Sequence, residues 1–443
     1  MTIQSEDARQ WVHIGSAGFA LLLRFLTWWL AAALAAAALV FNLLVLPRIG
    51  GRRLYRPVDE ARGFPLGILL YPFAVLLLIL TFPSRLDIVA AAWAILAFGD
   101  GMATLVGRRM PGSRLPWNPE KTAAGTVAFA VAGGIAGVAL ACWTRPAVAP
   151  TPPLWFDIAG PIAAAIVAAL VETIPVRLDD NVSVPASAAL VLWLISLMSP
   201  SAVAASQSIV LAALPWAIGV NVVVAALGHR AGTVSLSGAI VGALIGITIY
   251  AGAGRNAWLL LFVTFAVATI ASRLGLQRKV LLGIAEERSG RRGAGNALAT
   301  CGVATAAAIA VVSTPHPTAA LLALAAALVA GGSDTVASEI GKAWGRSTFL
   351  ITSFGRVKPG TPGAMSLEGT TAGVVAAFGL ASLAVALGQI AWGMTAAVVI
   401  AATVGALVES MLGATLEGPG ILNNDLLNFI NTAVAAAVAL VLA

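Results

Sequence analysis

Residues 86–109 read LDIVAAAWAILAFGDGMATLVGRR, an apolar run that ends in an aspartate between two glycines, followed by two arginines. A run of this length can cross a lipid bilayer as a helix. Asp100 would then lie near the end of a membrane-spanning segment. Carboxylates are costly in that environment and usually mark functional sites, so Asp100 is the first candidate site residue.

The composition extends this interpretation to the whole chain. Hydrophobic residues make up 59% of the 443 residues and charged residues 10%, and the mean hydropathy is +0.94. Soluble domains do not have this composition, so we predict an all-α, polytopic integral membrane protein. The apolar windows predict about fourteen spans, at 26–47, 64–82, 86–106, 123–142, 156–174, 182–199, 208–228, 235–252, 256–272, 294–312, 318–340, 365–387, 389–411 and 426–443.

The basic residues orient these spans. Most Lys and Arg fall in alternate loops, which predicts that those loops are cytoplasmic and that both chain ends are external. We expect a bacterial inner membrane, with the acidic residues at the cytoplasmic face, where nucleotide is available. The net charge of +7 is explained by topology and anionic lipid headgroups, so no nucleic-acid partner is expected. The sequence carries no signal for the oligomeric state.

Acidic landmarks recur in the same order in the two halves of the chain, which indicates an internal duplication. We predict two blocks, 1–202 and 203–443, with parallel topology and a two-helix connector. The recurring acidic stretches contain Asp100, Glu120, Glu172 and Asp179-Asp180-Asn181 in the first block, and Asp334, Glu368, Glu409 and Asn423-Asn424-Asp425 in the second. Glu339 is a further candidate, as a ligand or as a neighbour of one.

Hard oxygen ligands close to Arg and Lys suit a polyphosphate carried by Mg²⁺. Mg²⁺ needs one or two carboxylates, so Asp100 with Asp179 or Asp180 would suffice, and Asp334 with Asp425 in the second block. Glu120 to Thr122 are expected to begin a helix, with Lys121 facing the nucleotide. The candidate phosphate-binding residues are Gly99, Gly101, Arg108, Arg109, Asn118, Thr122, Asn181, Arg291, Arg292, Asn296, Arg346, Lys358, Thr370 and Asn424.

Each candidate also has a purely structural interpretation. Asp100 with Arg108, or Glu172 with Arg177, would form an internal ion pair, and Asp179-Asp180 would be a solvated turn. No Walker A pattern and no His/Cys metal spacing occurs in the sequence. The three histidines lie far apart along the chain, so histidine chemistry is not expected. The ordered set therefore carries more weight than any single residue.

The motifs of 98–195 resemble the phytol/dolichol kinase family of CTP-dependent polyprenol kinases. The residues that carry this resemblance are Gly99-Asp100-Gly101, Gly107-Arg108, Asn118-Pro119-Glu120-Lys121-Thr122, Ala124-Gly125-Thr126, Glu172-Thr173 and Asp179-Asp180-Asn181. The same motifs appear more loosely in CDP-diacylglycerol synthases. Residues 230–443 resemble the phytyl-phosphate kinase family, through Arg291–Asn296, Ser333-Asp334-Thr335, Ser338-Glu339, Gly345-Arg346, Pro359-Gly360-Thr361, Ser366-Leu367 and Gly369-Thr370.

These resemblances imply two consecutive reactions, in which a prenol becomes a prenyl monophosphate and then a diphosphate, with CTP as the donor. An alcohol acceptor benefits from a general base, for which Asp180 or Asp179 is the candidate, with Glu172 next. Lys121 is matched in sequence by Gly369, so another cation, Lys358, is expected to replace it. The alternatives are a lipid cytidylyltransferase, a repeat-built transporter and a lipid-binding scaffold with an inactive second block. Acids near one face, rather than at the midplane, argue against the transporter.

Overall fold

The structure is a computed structural model that describes residues 3–48, 66–110, 112–284 and 291–443. Helices account for nearly all of its regular structure, and the chain divides into two compact units, Met1–Leu197 and Met198–Ala443. The prediction of an all-helical membrane protein is confirmed. Each unit has a separate core of buried alanine, leucine, isoleucine and valine side chains.

The first unit contains eight α-helices and one short hairpin among its described residues. A 3₁₀ segment, Ala17–Arg24, follows the first helix, and a π-helical segment, Ile95–Asp100, joins the fourth and fifth. The elements are α1 Ile3–Ser16, α2 Trp28–Leu44, α3 Leu66–Thr81, α4 Leu86–Ala94, α5 Gly101–Arg109, β1 Arg114–Leu115, β2 Asn118–Thr122, α6 Ala123–Thr144, α7 Leu154–Glu172 and α8 Asp180–Ser196.

The second unit has a similar order of long helices around a second hairpin. A 3₁₀ turn, Trp392–Met394, precedes its penultimate helix, and a π-helical segment, Gly413–Glu417, follows that helix. The elements are α9 Pro200–Arg230, α10 Leu236–Arg273, α11 Leu276–Leu281, α12 Ala294–Ser313, α13 Pro317–Trp344, β3 Thr348–Leu350, β4 Ala364–Ser366, α14 Leu367–Ala386, α15 Thr395–Leu412 and α16 Asn424–Leu442.

Ten helical segments of the described chain are long and apolar enough to cross a membrane, and three shorter apolar helices accompany them. The expected count of fourteen is not confirmed. The expected spans 235–252 and 256–272 form one continuous element, α10, whose 38 residues would measure about 57 Å if straight, well beyond the thickness of a bilayer core. Gly254 (φ 87°, ψ 170°) interrupts its helical geometry.

The two most buried of these segments are the ones that carry the aspartates singled out from the sequence. Leu86–Arg109 contains Asp100, Pro317–Trp344 contains Asp334, and 72% of the apolar window is buried in each. In the first unit the π-helical segment ends at Asp100 itself. A π-helical turn widens the helix locally and is common at functional sites. The fold therefore places each aspartate on the central helix of its unit.

Candidate active sites

Three carboxylates meet at one end of the first unit. Asp100, Glu172 and Asp180 each present an oxygen, and these three atoms lie within 4.8 Å of one another. Asp100 ends the π-helical segment, Glu172 is the last residue of α7, and Asp180 is the first residue of α8. Three carboxylates at this spacing repel one another unless a cation lies among them, so the cluster is a candidate cation site.

Lys121 supplies one positive charge to this cluster. Its ammonium forms an ion pair with Glu172 and lies 3.4 Å from Asp180 Oδ2. Burial alone would lower the pKa of Lys121, but the Asp180 and Glu172 carboxylates outweigh burial and raise the pKa above its ordinary value. Lys121 is therefore a fixed cation at neutral pH.

The β1–β2 hairpin holds Lys121 in place. Asn118 is buried, and its amide nitrogen Nδ2 donates to the carbonyl of Thr173 at 3.1 Å, which ties the hairpin to the end of α7. Its side-chain oxygen accepts from the backbone N–H of Glu120. The expectation that Glu120 to Thr122 begin a helix is wrong, because they belong to β2. The helix begins at Ala123, with Thr122 as its N-cap.

Asp179 lies at the same cavity but outside the group of three carboxylates. It is the N-cap of α8, and its Oδ1 accepts from the backbone N–H of Asn181 at 2.9 Å and from the Asn181 side chain at 2.8 Å. Glu172 occupies the place in the cluster that the sequence analysis gave to Asp179. The sequence analysis named Glu172 as a candidate base but did not place it among the ligands of the ion.

The glycines beside Asp100 serve the packing of helices. A methyl group built on Gly99 would lie 2.6 Å from the Phe129 ring, and one on Gly101 would lie 2.6 Å from Ile14. Both positions therefore need glycine for close helix contact. Arg108 lines the cavity, whereas Arg109 is not among its described lining residues.

A cavity of about 1370 Å³ joins the carboxylates to an apolar wall built by α2, α3 and the 3₁₀ segment. Sequence reasoning missed the polar residues along its side. His13 Nε2 lies 3.8 Å from Asp100 Oδ2, and the hydroxyl of Tyr71 hydrogen-bonds with Ser16 and accepts from the indole N–H of Trp93. His13 and Ser16 are three residues apart in α1 and so lie on one helix face, which was the available signal.

The second unit contains a cavity of about 820 Å³ with a different charge balance. Its acidic lining residues are Asp334, Glu409, Glu417 and Asp425, and its described basic lining residues are Arg291, Arg292 and Lys342. The first cavity has the same number of described basic lining residues, Arg108, Lys121 and Arg177, but five acidic ones, Asp100, Glu120, Glu172, Asp179 and Asp180. The second cavity therefore has one acidic residue fewer for the same number of basic residues.

The start of α12 forms one wall of this second cavity. Arg291 and Arg292 precede the helix, and the first-turn residues Gly295 and Asn296 line the cavity. The side-chain oxygen of Asn296 is buried and has no hydrogen-bond partner. The Asp425 carboxylate lies directly against Gly295. Free amides at a helix start and two arginines make this wall suited to an anion.

Glu339 lies outside the described cavity lining and forms an ion pair with Lys342, which lines the cavity. It is buried on α13, forms an ion pair with the buried Lys279, and accepts from Lys342 at 3.1 Å. Lys342 lines the cavity, whereas Glu339 is absent from the described lining. Sequence reasoning counted Lys342 among the basic residues of the second block but missed Lys279, which lies in a short basic stretch that also fits a cytoplasmic loop.

Three predicted residues of the second block lie away from this cavity. Arg346 and Lys358 are exposed, and Glu368 is half-buried in the first turn of α14; none belongs to the described cavity lining. Thr370 and Asn424 do line it.

Helix packing shows how the two hairpins correspond. In the first unit, Thr122 caps α6 by accepting from Gly125 N–H at 3.1 Å, and Gly125 packs on Gly107. In the second unit, Ser366 caps α14 by accepting from Gly369 N–H at 3.1 Å, and Gly369 packs on Gly341.

This geometry shifts the predicted alignment of the second block on the first by four residues. Gly107 corresponds to Gly341 rather than to Gly345, and Gly125 corresponds to Gly369 rather than to Gly373. The expected matches of Glu120 with Glu368 and of Lys121 with Gly369 are therefore wrong. Asp100 and Asp334 both stand seven residues before the packing glycine, and Lys342 stands where the first unit has Arg108.

The fold and the two cavities define a helical integral membrane protein with acidic and basic residues at buried sites. The model of the family described as Integral membrane protein DUF92 matches residues 219–436. An uncharacterized membrane protein of Synechocystis sp. is 40% identical over 200 residues, which cover 44% of this chain and 78% of that relative. The chain belongs to this family of integral membrane proteins.

Two further relatives have chloroplast names. Protein VTE6, chloroplastic, of Arabidopsis thaliana is 38% identical over 215 residues, which cover 47% of this chain and 65% of that protein. The probable phytol kinase 3, chloroplastic, of Glycine max is 35% identical over 127 residues, 28% of this chain and 40% of the relative. The chain thus spans less than half of this kinase. No solved structure matches the chain.

Proposed function

We propose that this protein is a bifunctional isoprenoid kinase. The first unit would transfer the γ-phosphoryl group of a nucleotide to a prenol of the phytol, farnesol or geranylgeraniol type. The second unit would phosphorylate the resulting monophosphate to the diphosphate. The observation that carries the proposal is the first cavity, in which three carboxylates and Lys121 share one space with a long apolar wall. The likeness to a probable phytol kinase supports the same acceptor class.

The carboxylate cluster of the first unit fits Mg²⁺. Asp100, Glu172 and Asp180 offer hard oxygen atoms at compatible spacing, and Lys121 already brings a cation to two of them. These three residues would hold the ion. The ion would supply positive charge to the phosphates of the nucleotide. The donor is expected to be CTP because of the family resemblance.

The protein's own residues would position the reactants. Lys121 and Arg108 would bind phosphate oxygens, since both cations line the cavity. The acceptor oxygen forms a bond to the γ-phosphorus, the bond to the β-phosphate oxygen breaks, and CDP leaves. The alcohol proton would pass to Asp180 or Asp179, which lie at the polar end of the same cavity.

The second cavity suits the second acceptor. A prenyl monophosphate is already ionised, so it needs positive charge more than it needs a base. Arg291, Arg292 and Lys342 supply that charge, and the start of α12 adds free amides. Asp334 and Asp425 would hold the second ion, with Glu409 and Glu417 close by.

The two units would be copies of one ancestral block. The matched pairs of capped helices and packed glycines support this interpretation, as does the position of the aspartate on the most buried segment of each unit. We infer parallel repeats, blocks 1–202 and 203–443, and sites that face the cytoplasm of a bacterial inner membrane. The distribution of basic residues supports that orientation.

A labelling experiment tests the proposed reaction. Purified protein in lipid nanodiscs would be given Mg²⁺, a prenol and CTP labelled with ³²P at either the α or the γ position. We expect lipid product labelled from the γ position alone. Label from the α position would support a lipid cytidylyltransferase and contradict the kinase proposal.

Two variants assign the reactions to the units. Asp100→Asn should abolish phosphorylation of the alcohol, while the same sample still converts added prenyl monophosphate. Asp334→Asn should instead make the monophosphate accumulate. In each variant, the activity of the unsubstituted unit is the control for folding. Loss of both activities in either variant would contradict the assignment of one reaction to each unit.

A further inference from the structure

The apolar part of the first cavity extends along α3, away from the carboxylates. Gly67, at the start of α3, lies beside Asp179 and Asn181, because a methyl group built on it would meet their side chains at 3.8 and 3.6 Å. Lining residues of α3 continue from Gly67 to Ile79. Twelve residues of helix span about 18 Å, so the cavity extends about that far from the carboxylate end.

The second helix of this wall runs in the opposite direction. Asn42 Nδ2 donates to the carbonyl of Ile68 at 3.1 Å, which places the end of α2 beside the start of α3. Arg24, just before α2, stacks over the Trp143 ring at 4.4 Å, at the far end of α6. Ala31 is therefore about 16 Å further from the carboxylates than Asn42 is.

The residues of α2 that line this wall recur at helical spacing. Ala31, Ala35 and Ala38 lie on one face of α2 and are small, so the space in front of them stays open. The bulkier residues Leu23, Leu26 and Ile79 line the cavity at the end far from the carboxylates. We define the apolar groove by the residues Leu23, Leu26, Ala31, Ala35, Ala38 and Ile79.

We propose that the apolar groove holds the hydrocarbon chain of the acceptor alcohol and that its depth, measured from the carboxylates to Ala31 and Ile79, selects the chain length. This inference rests on the proposed kinase activity of the first unit. One cavity contains both the polar cluster and the groove, so the hydroxyl of a single amphiphile can reach the carboxylates while its chain lies between α2 and α3. Each of the alanines along α2 then lies beside a different length of the bound hydrocarbon chain.

Phenylalanine substitutions along α2 test whether the depth of the groove selects the chain length. Ala31→Phe blocks the deep end, and Ala38→Phe blocks a point seven residues, or about 10 Å, nearer the carboxylates. Ala37→Phe is the matched control, because Ala37 is exposed and lies outside the described lining. The assay is kcat/KM for geraniol, farnesol and geranylgeraniol in nanodiscs, with the γ-labelled donor.

We expect a graded result. Ala31→Phe should lower the ratio of kcat/KM for geranylgeraniol to that for geraniol by about tenfold or more, because several methylene groups lose their buried site. Ala38→Phe should also exclude farnesol, and Ala37→Phe should leave the profile unchanged. An equal loss for all three alcohols, or an unchanged profile in Ala31→Phe, would overturn the inference.

Binding without catalysis separates this inference from the kinase proposal. A prenol with a terminal diazirine, irradiated without nucleotide, should label α2 and the end of α3 in the wild-type protein. Ala31→Phe should reduce that labelling, and Ala37→Phe should not. If no alcohol is phosphorylated but the labelling follows this pattern, the kinase proposal fails and the groove stands. Labelling confined to other helices would refute the groove itself.

Discussion

Lys342→Met is the sharpest test of the second site. The ammonium of Lys342 lines the cavity, and its side chain is 28% exposed, so it would make a partly desolvated, charge-assisted contact with phosphate. Hydrogen bonds to charged groups contribute about 1.5–3 kcal/mol, and partial exposure favours the lower end of that range. Because 1.36 kcal/mol corresponds to a factor of ten, kcat/KM for the prenyl monophosphate should fall by about 10- to 30-fold.

The same structure predicts that the fold survives this substitution. Glu339 keeps Lys279, and both side chains of that ion pair are only 2% exposed. Glu339 is therefore not left without a cation in this variant. By contrast, Lys279→Met would remove the more buried partner, and breaking a buried pair costs about 3–5 kcal/mol. Melting of each variant in nanodiscs, followed by tryptophan fluorescence, would show this difference.

Lys358→Met provides the control, because Lys358 is exposed and outside the described cavity lining. It should retain at least half of the wild-type kcat/KM. The assay follows conversion of prenyl monophosphate to diphosphate at varied CTP, with products separated by mass. A large loss in Lys358→Met together with normal kinetics in Lys342→Met would refute the helix correspondence derived above.

Two further predictions concern charged groups. Glu368→Gln should change the second reaction less than twofold, because Glu368 lies outside the described cavity lining, whereas Glu409→Gln should abolish it; equal losses in both would restore the original sequence pairing. Lys121→Met should lower stability by about 2 kcal/mol, discounted for partial exposure, and should make melting more sensitive to added Mg²⁺, while Lys121→Arg should not. The raised pKa of Lys121 means that its ion pairs stabilise fully below the ordinary lysine pKa and weaken only as pH rises through the higher folded value. The difference in stability between wild type and Lys121→Met should therefore not shrink until the pH rises above the ordinary lysine pKa, and a difference that shrinks at lower pH would contradict this assignment.

The sequence predicts the class of fold because hydrophobicity is read locally. Each apolar window reports its own helix, and even the break in α10 falls between the expected spans 235–252 and 256–272, at Gly254. Four residues from separate sequence motifs, Asp100, Lys121, Glu172 and Asp180, do meet at one site. The three carboxylates reach the site at the ends of helical segments, and Lys121 reaches it from strand β2.

The register of the second block was harder to predict, because two similar signals stood four residues apart. Gly341 and Gly345 both precede the hairpin, and Gly369 and Gly373 both follow it. Only the packing of α14 on α13 chooses between them, through the cap at Ser366. The shift of four residues in the alignment then gave a site role to the wrong charged residues, including Glu368 and Lys358.

Residues from the N-terminal helices were missed for a related reason. His13 and Tyr71 precede the acidic motifs in the chain, and neither belongs to a motif. They reach the cavity because α1 and α3 pack beside the central helix, so their contribution is a matter of tertiary structure. The apolar groove likewise consists of alanines and leucines that look the same as lipid-facing residues in the sequence.

Burial explains why the acids lie where they do. The outer helix α9 is 11% buried in its apolar window and contains no acidic residue, whereas the central segments of the two units are 72% buried and carry Asp100 and Asp334. A carboxylate that faces lipid has no partner, but one on a central helix can be reached by cations from several neighbours. A central helix can therefore hold an aspartate among partners from several elements and still open it to a substrate at one end. This constraint favours one aspartate-bearing central helix per site, and it is the physical reason to expect two sites in this chain.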